Sequence, residues 1–225
     1  MSKISEAKSY VNSLALDPKN IEITRMIYEF HNESFYHAIN AAMIAAQVCD
    51  MEKFRPIDKH FIVTAALVHD VGMITVPQYL LHKKGQLEPE EYAIIKSHVT
   101  KGVDLLQSEG YPEQVQRIIL EHHERNDGSG YPNKLTRDQI SDGGRLLAVV
   151  DSYEAITAKK CYGKQYNPYD AVTIMLGEGN YEFNYIMDIV KTSLKGNLSD
   201  MWKKYVIKNS KPINLSLPTQ LQNQL

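Results

Sequence analysis

Cysteine, excess charge and long apolar runs are all scarce in this sequence of 225 residues. The two cysteines, Cys49 and Cys161, fit no metal-ligand spacing and no disulfide framework, so we expect free thiols in a reducing cytoplasm. The formal net charge is −2, which argues against a nonspecific binder of nucleic-acid polymers because such domains carry a basic excess. The longest apolar runs, such as 41–46 and 61–68, are far shorter than a membrane span, and the N-terminus lacks the apolar core of a signal peptide. We therefore expect a cytoplasmic protein with no membrane partner.

Apolar residues recur at helical spacing along most of the chain, and no segment alternates strongly in the manner of a strand. We therefore predict an all-α fold. The short apolar run 146–150 is assigned to a helix because its neighbours are helical, and glycine, asparagine and aspartate mark a loop over 126–132. The predicted helices cover about 21–49, 56–69, 89–106, 111–123, 144–159, 169–177 and 183–207.

The length suits one domain with a sizeable core. We divide the chain into an N-terminal helical lead over 1–27, a main helical domain over 28–208, and a loose tail over 209–225 that is rich in Ser, Pro, Gln and Asn. Residues 1–32 are fewer than the ~50 that a separate domain needs. Regulation is therefore expected to come from a signalling-protein partner, from self-association as a homodimer, or from regions outside this sequence.

Histidines and acidic residues form the most informative pattern in the sequence. Three of the eight histidines, His31, His60 and His82, stand alone and suggest no role. The other five lie beside an acidic residue or another histidine, or on a predicted helix face. Together with nearby carboxylates they give the candidate set Glu33, His37, His69, Asp70, His98, His122, His123 and Asp151.

This combination of side chains is typical of a metal site. Neutral imidazole and carboxylate together suit borderline divalent ions such as iron, manganese, cobalt, nickel and zinc. Eight candidate ligands are more than one ion can use but suit two or three ions. On a regular helix His69 and Asp70 would point about 100° apart, so Asp70 could bridge two ions while His69 binds one. Ions roughly 3.5–4 Å apart can clamp a phosphodiester and lower the pKa of a water molecule between them.

Each candidate also has an ordinary structural interpretation when it is taken alone. A lone histidine such as His98 is more often a core or surface residue, and Asp151 could be a helix cap. The pair His69–Asp70 could simply be hydrogen-bonded at a helix end, and Glu33 with His37, four residues apart on one helix, could be an exposed ion pair. The order of the whole set is what favours a metal site over these separate interpretations.

Taken in order, the motifs resemble those of the HD-GYP family, a branch of the HD superfamily of metal-dependent phosphohydrolases. The segment His69-Asp70-Val71-Gly72 is similar to the HD-x-G signature of that family, and 122–132, with the sequence HHERNDGSGYP, is similar to its HHE…DGSGYP stretch at every fixed position. Shorter matches lie between and after these two motifs, at 76–77, 84–87, 90–102 and 145–157. The resemblance extends from about residue 33 to 164.

The resemblance implies an HD-domain helical bundle with additional C-terminal helices in the domain over 28–208. It implies a phosphodiesterase that hydrolyses cyclic di-GMP to pGpG and/or GMP through a metal-bridging hydroxide. It also implies a centre of two or three divalent ions, most often iron or manganese, with nickel, cobalt and zinc suited to the same donors. Carried over position by position, the ligands are His37, His69, Asp70, His98, His122, His123 and Asp151, with Asp70 bridging two ions and Glu33 as the extra carboxylate of members with a third ion.

The sequence departs from the family pattern at three places. The family usually has lysine where this chain has Met73, and that lysine is expected near the scissile phosphate. Losing a placed charge there can cost on the order of 10²–10³ in rate. Glu154 replaces an aspartate, and Lys160-Cys161-Tyr162 replaces Arg-Pro-Tyr. Lys160 keeps the charge without the bidentate fork, and Lys164 is expected to supplement it in binding substrate.

Met73 motivates an alternative hypothesis, a catalytically weak module that binds metals and a cyclic dinucleotide and signals by contact. A third hypothesis is an HD hydrolase for another nucleotide, and the intact Gly130-Tyr131-Pro132 loop argues against it. In that loop, Tyr131 is expected either to stack on a guanine or to hold the loop by packing. Gly128 and Gly130 are expected to serve the turn through their permissive φ angles.

Overall fold

The structure of the protein, a computed structural model, describes residues 3–158 and 165–193. Within these ranges the chain is helical and contains no strand, apart from an isolated antiparallel bridge between Asp127 and Thr136. The prediction of an all-α fold is thus confirmed. A 3₁₀-helix spans His69–Thr75, and the α-helices are α1 Lys3–Ala15, α2 Pro18–Phe30, α3 Asn32–Met51, α4 Pro56–Val68, α5 Gln78–Leu81, α6 Pro89–Lys96, α7 His98–Ser108, α8 Glu113–Glu121, α9 Asp142–Thr157, α10 Pro168–Glu178 and α11 Phe183–Ser193.

The central helices pack around one apolar core. Helix α4 contacts α3, α8 and α9, while α9 also contacts α3 and α8. Both α3 and α4 carry fully buried alanines, including Ala42 and Ala65, and such small side chains let two helix backbones approach closely. Helices α10 and α11 contact α9, and these are the additional C-terminal helices that were predicted.

The predicted helix over 21–49 is in fact two helices that meet at His31. The backbone N–H of His31 donates to the carbonyl of Ile27 and ends α2, while its ring Nδ1 accepts from the backbone N–H of Ser34 and caps α3. The apolar spacing continues across this break, which is why periodicity alone did not reveal it. The predicted helix over 89–106 is likewise divided, at Ser97, so that His98 begins a new helix.

The signature histidine and aspartate lie in a 3₁₀-helix and not in the α-helix that precedes it. Successive residues of a 3₁₀-helix are about 120° apart, so the angle of about 100° expected for His69 and Asp70 was wrong. Gly72 in the same segment lies against α7. A Cβ atom built on Gly72 would be 1.9 Å from the His98 carbonyl oxygen and 2.7 Å from the Gly102 nitrogen. This backbone contact holds the segment that carries Asp70 beside the start of α7, where His98 lies.

Several sequence predictions fall on residues outside the described ranges. They concern Lys160, Lys164, the last part of the helix predicted over 183–207, and the tail over 209–225. The boundary at residue 27 stays a prediction, although Ala7 and Val11 of α1 are buried in the same core as α3 and α4. No helix in the described part of the chain combines the length and the hydrophobicity needed to cross a membrane.

Replacing Gly72 by alanine should lower the free energy of unfolding by about 3 kcal/mol, because the new methyl group would meet fixed backbone atoms of α7. Urea denaturation followed by circular dichroism measures this change. Gly102→Ala is the matched control from the same contact, since its Cβ would lie no closer than 3.2 Å to Gly72, and we expect a smaller loss. An equal or smaller loss for Gly72→Ala would contradict this explanation of the glycine.

Candidate metal centre

Side chains from five separated parts of the chain converge on one small, buried volume. His37 comes from α3, the pair His69–Asp70 from the 3₁₀-helix, His98 from the start of α7, His122 and His123 from the residues after α8, and Asp151 from the middle of α9. Neighbouring imidazole rings have centroids 4.0–5.6 Å apart, as in the pairs His37–His69, His69–His122, His98–His122, His98–His123 and His122–His123.

Asp70 lies between two groups of donor atoms. Its Oδ1 atom is 3.6 Å from His98 Nε2, while its Oδ2 atom is 3.6 Å from His69 Nε2 and 4.0 Å from His37 Nε2. Two groups of residues have donor atoms that all lie within 4.8 Å of one another. One group is His98, His122 and His123, and the other is His37, His69 and Asp70. The two oxygens of one carboxylate thus face both sides, which is the geometry that a bridging ligand requires.

Asp151 lies on the same side of the centre as His37 and His69. Its Oδ1 atom is 2.9 Å from His37 Nε2 and 3.6 Å from His69 Nε2. The expectation that Asp151 alone could be a helix cap is wrong, since it lies well inside α9 and is buried. A buried carboxylate that follows the apolar run 146–150 is costly unless a partner compensates its charge.

Three of the histidines are oriented by the helix turn that precedes them. The Nδ1 atoms of His69, His98 and His122 lie 3.0, 2.7 and 2.5 Å from the backbone carbonyl oxygens of the residues three positions earlier. Because a carbonyl oxygen can only accept, each Nδ1 carries the proton, and each Nε2 of the neutral ring is left with a lone pair. Turns of helical backbone therefore set the tautomer that suits a metal ligand.

These lone pairs have no partner within the described residues. The buried atoms His69 Nε2, His98 Nε2, His122 Nε2 and His123 Nδ1 make no hydrogen bond there. A buried polar atom without a partner costs about 1–3 kcal/mol, so four of them in one place need an explanation. Imidazole nitrogens beside two carboxylates fit divalent transition-metal ions, and the residues present therefore suit the ions that the resemblance implies.

Burial keeps one side of the centre neutral. It lowers the pKa of His122 to about 3, and it also lowers the pKa of His98 and holds the pKa of His123 well below its ordinary value. Near neutral pH these three imidazoles are uncharged and can donate lone pairs. No proton must leave them before a cation binds.

The other side is charged. Burial alone would lower the pKa of His37, but hydrogen bonds to Asp151 and Glu154 outweigh it and raise that pKa well above its ordinary value. Burial would likewise raise the pKa of Asp151, but its hydrogen bond to His37 and the nearby imidazole of His69 keep that pKa well below its ordinary value. Burial would also raise the pKa of Asp70, but its attraction to the nearby His69 and His37 side chains outweighs burial and lowers that pKa. Both carboxylates are therefore ionised, which gives this side its attraction for cations.

Glu154 and Asn40 belong to the site, although neither was among the predicted site residues. Glu154 Oε2 is 2.5 Å from His37 Nδ1, and Asn40 Nδ2 donates to Glu154 Oε1 at 2.8 Å. Each follows a predicted ligand by three residues on its helix, Asn40 after His37 and Glu154 after Asp151, and that spacing is the signal that could have identified them. The contact also shows that His37 interacts with α9, beyond any local pairing with Glu33.

Glu33 lies in the first turn of α3, one turn before His37, and is partly buried. It is not among the clustered donor atoms of either group, so its role as the ligand of a third ion stays a prediction. Met73 lies in the 3₁₀-helix, three residues after Asp70, and is also partly buried.

The backbone that follows the loop over 126–132 is held by Glu124, which comes directly after the paired histidines. The carboxylate of Glu124 is buried and accepts hydrogen bonds from the backbone N–H groups of Asn133 and Leu135, at 2.6 and 2.9 Å. Gly128 has a φ of +79°, as its role in the turn predicts. Glycine is required at position 130 for a different reason, because a Cβ atom there would lie 2.4 Å from Glu124 Cα. The prediction that Gly130 serves through a permissive φ is corrected to close backbone approach.

Tyr131 packs directly on a predicted ligand. Its ring stacks on His123 with centroids 4.7 Å apart and planes at 23°, and it meets Tyr92 edge-on at 6.5 Å. The peptide bond between Tyr131 and Pro132 is cis. One of the two predicted roles of Tyr131, packing of the loop, is thus present in the structure.

Comparison with known proteins identifies relatives of this chain. The family model described as HD domain matches residues 22–183. A 3'3'-cGAMP-specific phosphodiesterase 2 of Vibrio cholerae is 32% identical over 170 residues, which cover 68% of this chain and 33% of that protein. A cyclic di-GMP phosphodiesterase of Thermotoga maritima is 34% identical over 145 residues, covering 63% of this chain and 39% of that protein. This chain thus spans about a third of the length of these curated relatives.

A solved structure has a similar fold. Bd1817, a HDG"Y"P protein from Bdellovibrio bacteriovorus, aligns with a TM-score of 0.63 at 19% sequence identity, over 86% of this chain and 62% of that chain. At this identity the likeness concerns the fold alone, and it agrees with the helical architecture described above.

Glu154→Ala should weaken binding of a divalent ion on the His37 side by about 10–100-fold, because His37 would lose the carboxylate that orients its ring. Competition with a chromophoric chelator, together with elemental analysis after dialysis, measures the loss. The exposed carboxylate Glu113 of α8 supplies the control variant Glu113→Ala, which should bind ions like the unaltered protein. Unchanged affinity in Glu154→Ala would remove Glu154 from the centre.

Proposed function

The chain belongs to the HD domain family, in its HD-GYP branch, and we propose that it is a metal-dependent phosphodiesterase that hydrolyses cyclic di-GMP to pGpG and/or GMP. The observation that carries this proposal is the set of buried, unpartnered imidazole nitrogens gathered around Asp70 within the described residues. The names of the two curated relatives support a cyclic dinucleotide as the class of substrate. Because the chain spans about a third of their length, the activity, substrate and partners of the whole protein are all part of the proposal.

We propose two or three divalent ions, with iron or manganese favoured over nickel, cobalt and zinc. His98, His122 and His123 would hold one ion, and His37, His69 and Asp151 another, with Asp70 shared between them. Glu33 would serve a third ion. When bound, the ions would polarise the phosphodiester oxygens and lower the pKa of a water molecule at the centre.

The protein's own contribution is position and charge. The helix turns before His69, His98 and His122 aim their Nε2 atoms inward, and Glu154 orients His37. These ring orientations exist before substrate arrives, so little reorganisation is needed during the reaction. The surrounding core buries the imidazoles and limits the access of bulk water.

The substrate-binding roles are assigned to residues at the edge of the centre. Tyr131 would stack its remaining face on a guanine base while its other face packs on His123. Lys160 and Lys164, which lie outside the described residues, would bind phosphate. Self-association, a signalling partner and the domain boundaries stay predictions.

The alternative, a weakly catalytic binding module, rests on Met73. The relatives are named as phosphodiesterases, which supports hydrolysis over binding alone. The two relatives differ in the cyclic dinucleotide that their names give, so cyclic di-GMP and 3'3'-cGAMP should be tested side by side.

Metal-loaded protein should convert cyclic di-GMP to a linear product, which chromatography separates from the substrate. Met73→Lys should raise the rate by up to about 10²-fold, because it restores a positive charge where negative charge develops. Met73→Leu, which adds no charge, should behave like the unaltered protein. Removal of metal by a chelator should abolish turnover in all three proteins.

The hydrolase proposal fails if the unaltered protein binds cyclic di-GMP and forms no product while Met73→Lys does form product. That result would establish the binding module. Absence of both binding and product with either cyclic dinucleotide would reject this class of substrate.

A further inference from the structure

A lysine that the proposed function does not use lies at the edge of the metal centre. Lys96 is the last residue of α6, and its Nζ atom is 4.6 Å from the ring centroid of Tyr92 and 5.6 Å from that of Tyr131. Tyr131 in turn stacks on His123. The ammonium group of Lys96 is therefore one aromatic ring away from a predicted metal ligand.

The backbone around Lys96 is also tied to the centre. Ile95, the residue before it, accepts the hydrogen bond from His98 Nδ1 that sets the tautomer of that histidine. The backbone of Lys96 is thus positioned by the hydrogen bond between His98 and the neighbouring Ile95 carbonyl. Its ammonium group is positioned by the rings of Tyr92 and Tyr131. Lys96 is partly buried, so its stem packs on the protein while the charged end keeps access to solvent.

Within the described residues, no carboxylate neutralises the charge of Lys96. Among residues 3–158 and 165–193, Lys96 makes no ion pair. By contrast, Lys83, which precedes α6, is paired with Glu91 of that helix. The ammonium group of Lys96 is instead attracted by the ring faces of Tyr92 and Tyr131. A cation–π contact at an accessible site is weaker than a charge-assisted hydrogen bond to phosphate, so an arriving phosphate can recruit this lysine.

We propose that Lys96 binds a phosphate group of the cyclic dinucleotide and supplies positive charge at a centre where Met73 supplies none. This assignment rests on the proposed function and adds a substrate-binding residue to it. Tyr92 and Tyr131 form the support that holds the ammonium group at the edge of the centre, and Tyr131 links that support to His123. Tyr131 would then bind the base of a nucleotide, and the neighbouring Lys96 would bind its phosphate.

Lys96 could instead serve only to fasten α6 to the loop over 126–132. A fastening role predicts a loss of stability that does not depend on substrate or salt. A phosphate-binding role predicts weaker substrate binding and a weaker dependence of that binding on salt, because one screened charge pair is removed.

Lys96→Met keeps an unbranched stem and removes the charge, and Lys96→Arg keeps the charge. Lys101→Met is the matched control, since Lys101 is an exposed lysine of the neighbouring α7. Binding of the hydrolysis-resistant bisphosphorothioate analogue of cyclic di-GMP to the metal-loaded full chain would be measured by calorimetry at low and high salt. The KM and kcat for cyclic di-GMP and the unfolding midpoint would be recorded for each protein.

We expect Lys96→Met to weaken binding about tenfold at low salt, to raise KM by a similar factor and to reduce the salt dependence. Lys96→Arg should retain most of the affinity, and Lys101→Met should match the unaltered protein. Adding Met73→Lys to Lys96→Met should recover part of the lost binding, because it introduces a positive charge on the segment that carries Asp70.

Two outcomes would overturn the assignment separately from the proposed function. Lys96→Met that binds and turns over substrate like the unaltered protein would overturn the assignment alone. So would a variant whose only change is a lower unfolding midpoint. If the unaltered protein binds no cyclic dinucleotide, the proposed function fails, and the assignment of Lys96 fails with it.

Discussion

Asp70 directs its two carboxylate oxygens toward imidazoles on opposite sides, and the surrounding elements are arranged to keep it there. The backbone of its 3₁₀-helix lies against α7 at Gly72, at a distance that leaves no room for a Cβ atom. His98 approaches one oxygen from α7, while His69 approaches the other from the adjacent position in the chain. A change in this backbone contact would separate the two sides of the centre, so Gly72 determines the geometry without carrying any chemistry of its own.

The centre combines features that a core without ions would avoid. In the part of the chain that the structure describes, four buried imidazole nitrogens lack hydrogen-bond partners, and two carboxylates are buried beside them. The helix turns hold three of these rings in the tautomer that keeps the lone pairs facing inward. Divalent ions would satisfy the nitrogens and compensate the carboxylates at once, so folding and metal binding should support each other.

The ligand candidates could be predicted from the sequence because neighbouring pairs such as His69–Asp70 and His122–His123 occur in a recognisable order. The breaks at His31 and Ser97 could not, because apolar spacing continues across both and only capping contacts reveal them. The sequence shows Glu154 as a departure from the family pattern, but its contact with His37 depends on α3 and α9 lying side by side. The sequence favours a turn role for Gly130, since it does not show that the backbone of this glycine lies against Glu124. For Glu154 and Gly130 the missing information was which elements are adjacent in space.

The central claim, that one carboxylate is shared by ions on two sides, is tested most directly by anomalous X-ray diffraction from crystals of the protein grown with Mn²⁺. We predict at least two anomalous peaks beside Asp70, one near His98, His122 and His123 and one near His37, His69 and Asp151. A well-ordered structure with full-length side chains, saturating Mn²⁺ and no peak within bonding distance of Asp70 would contradict the account.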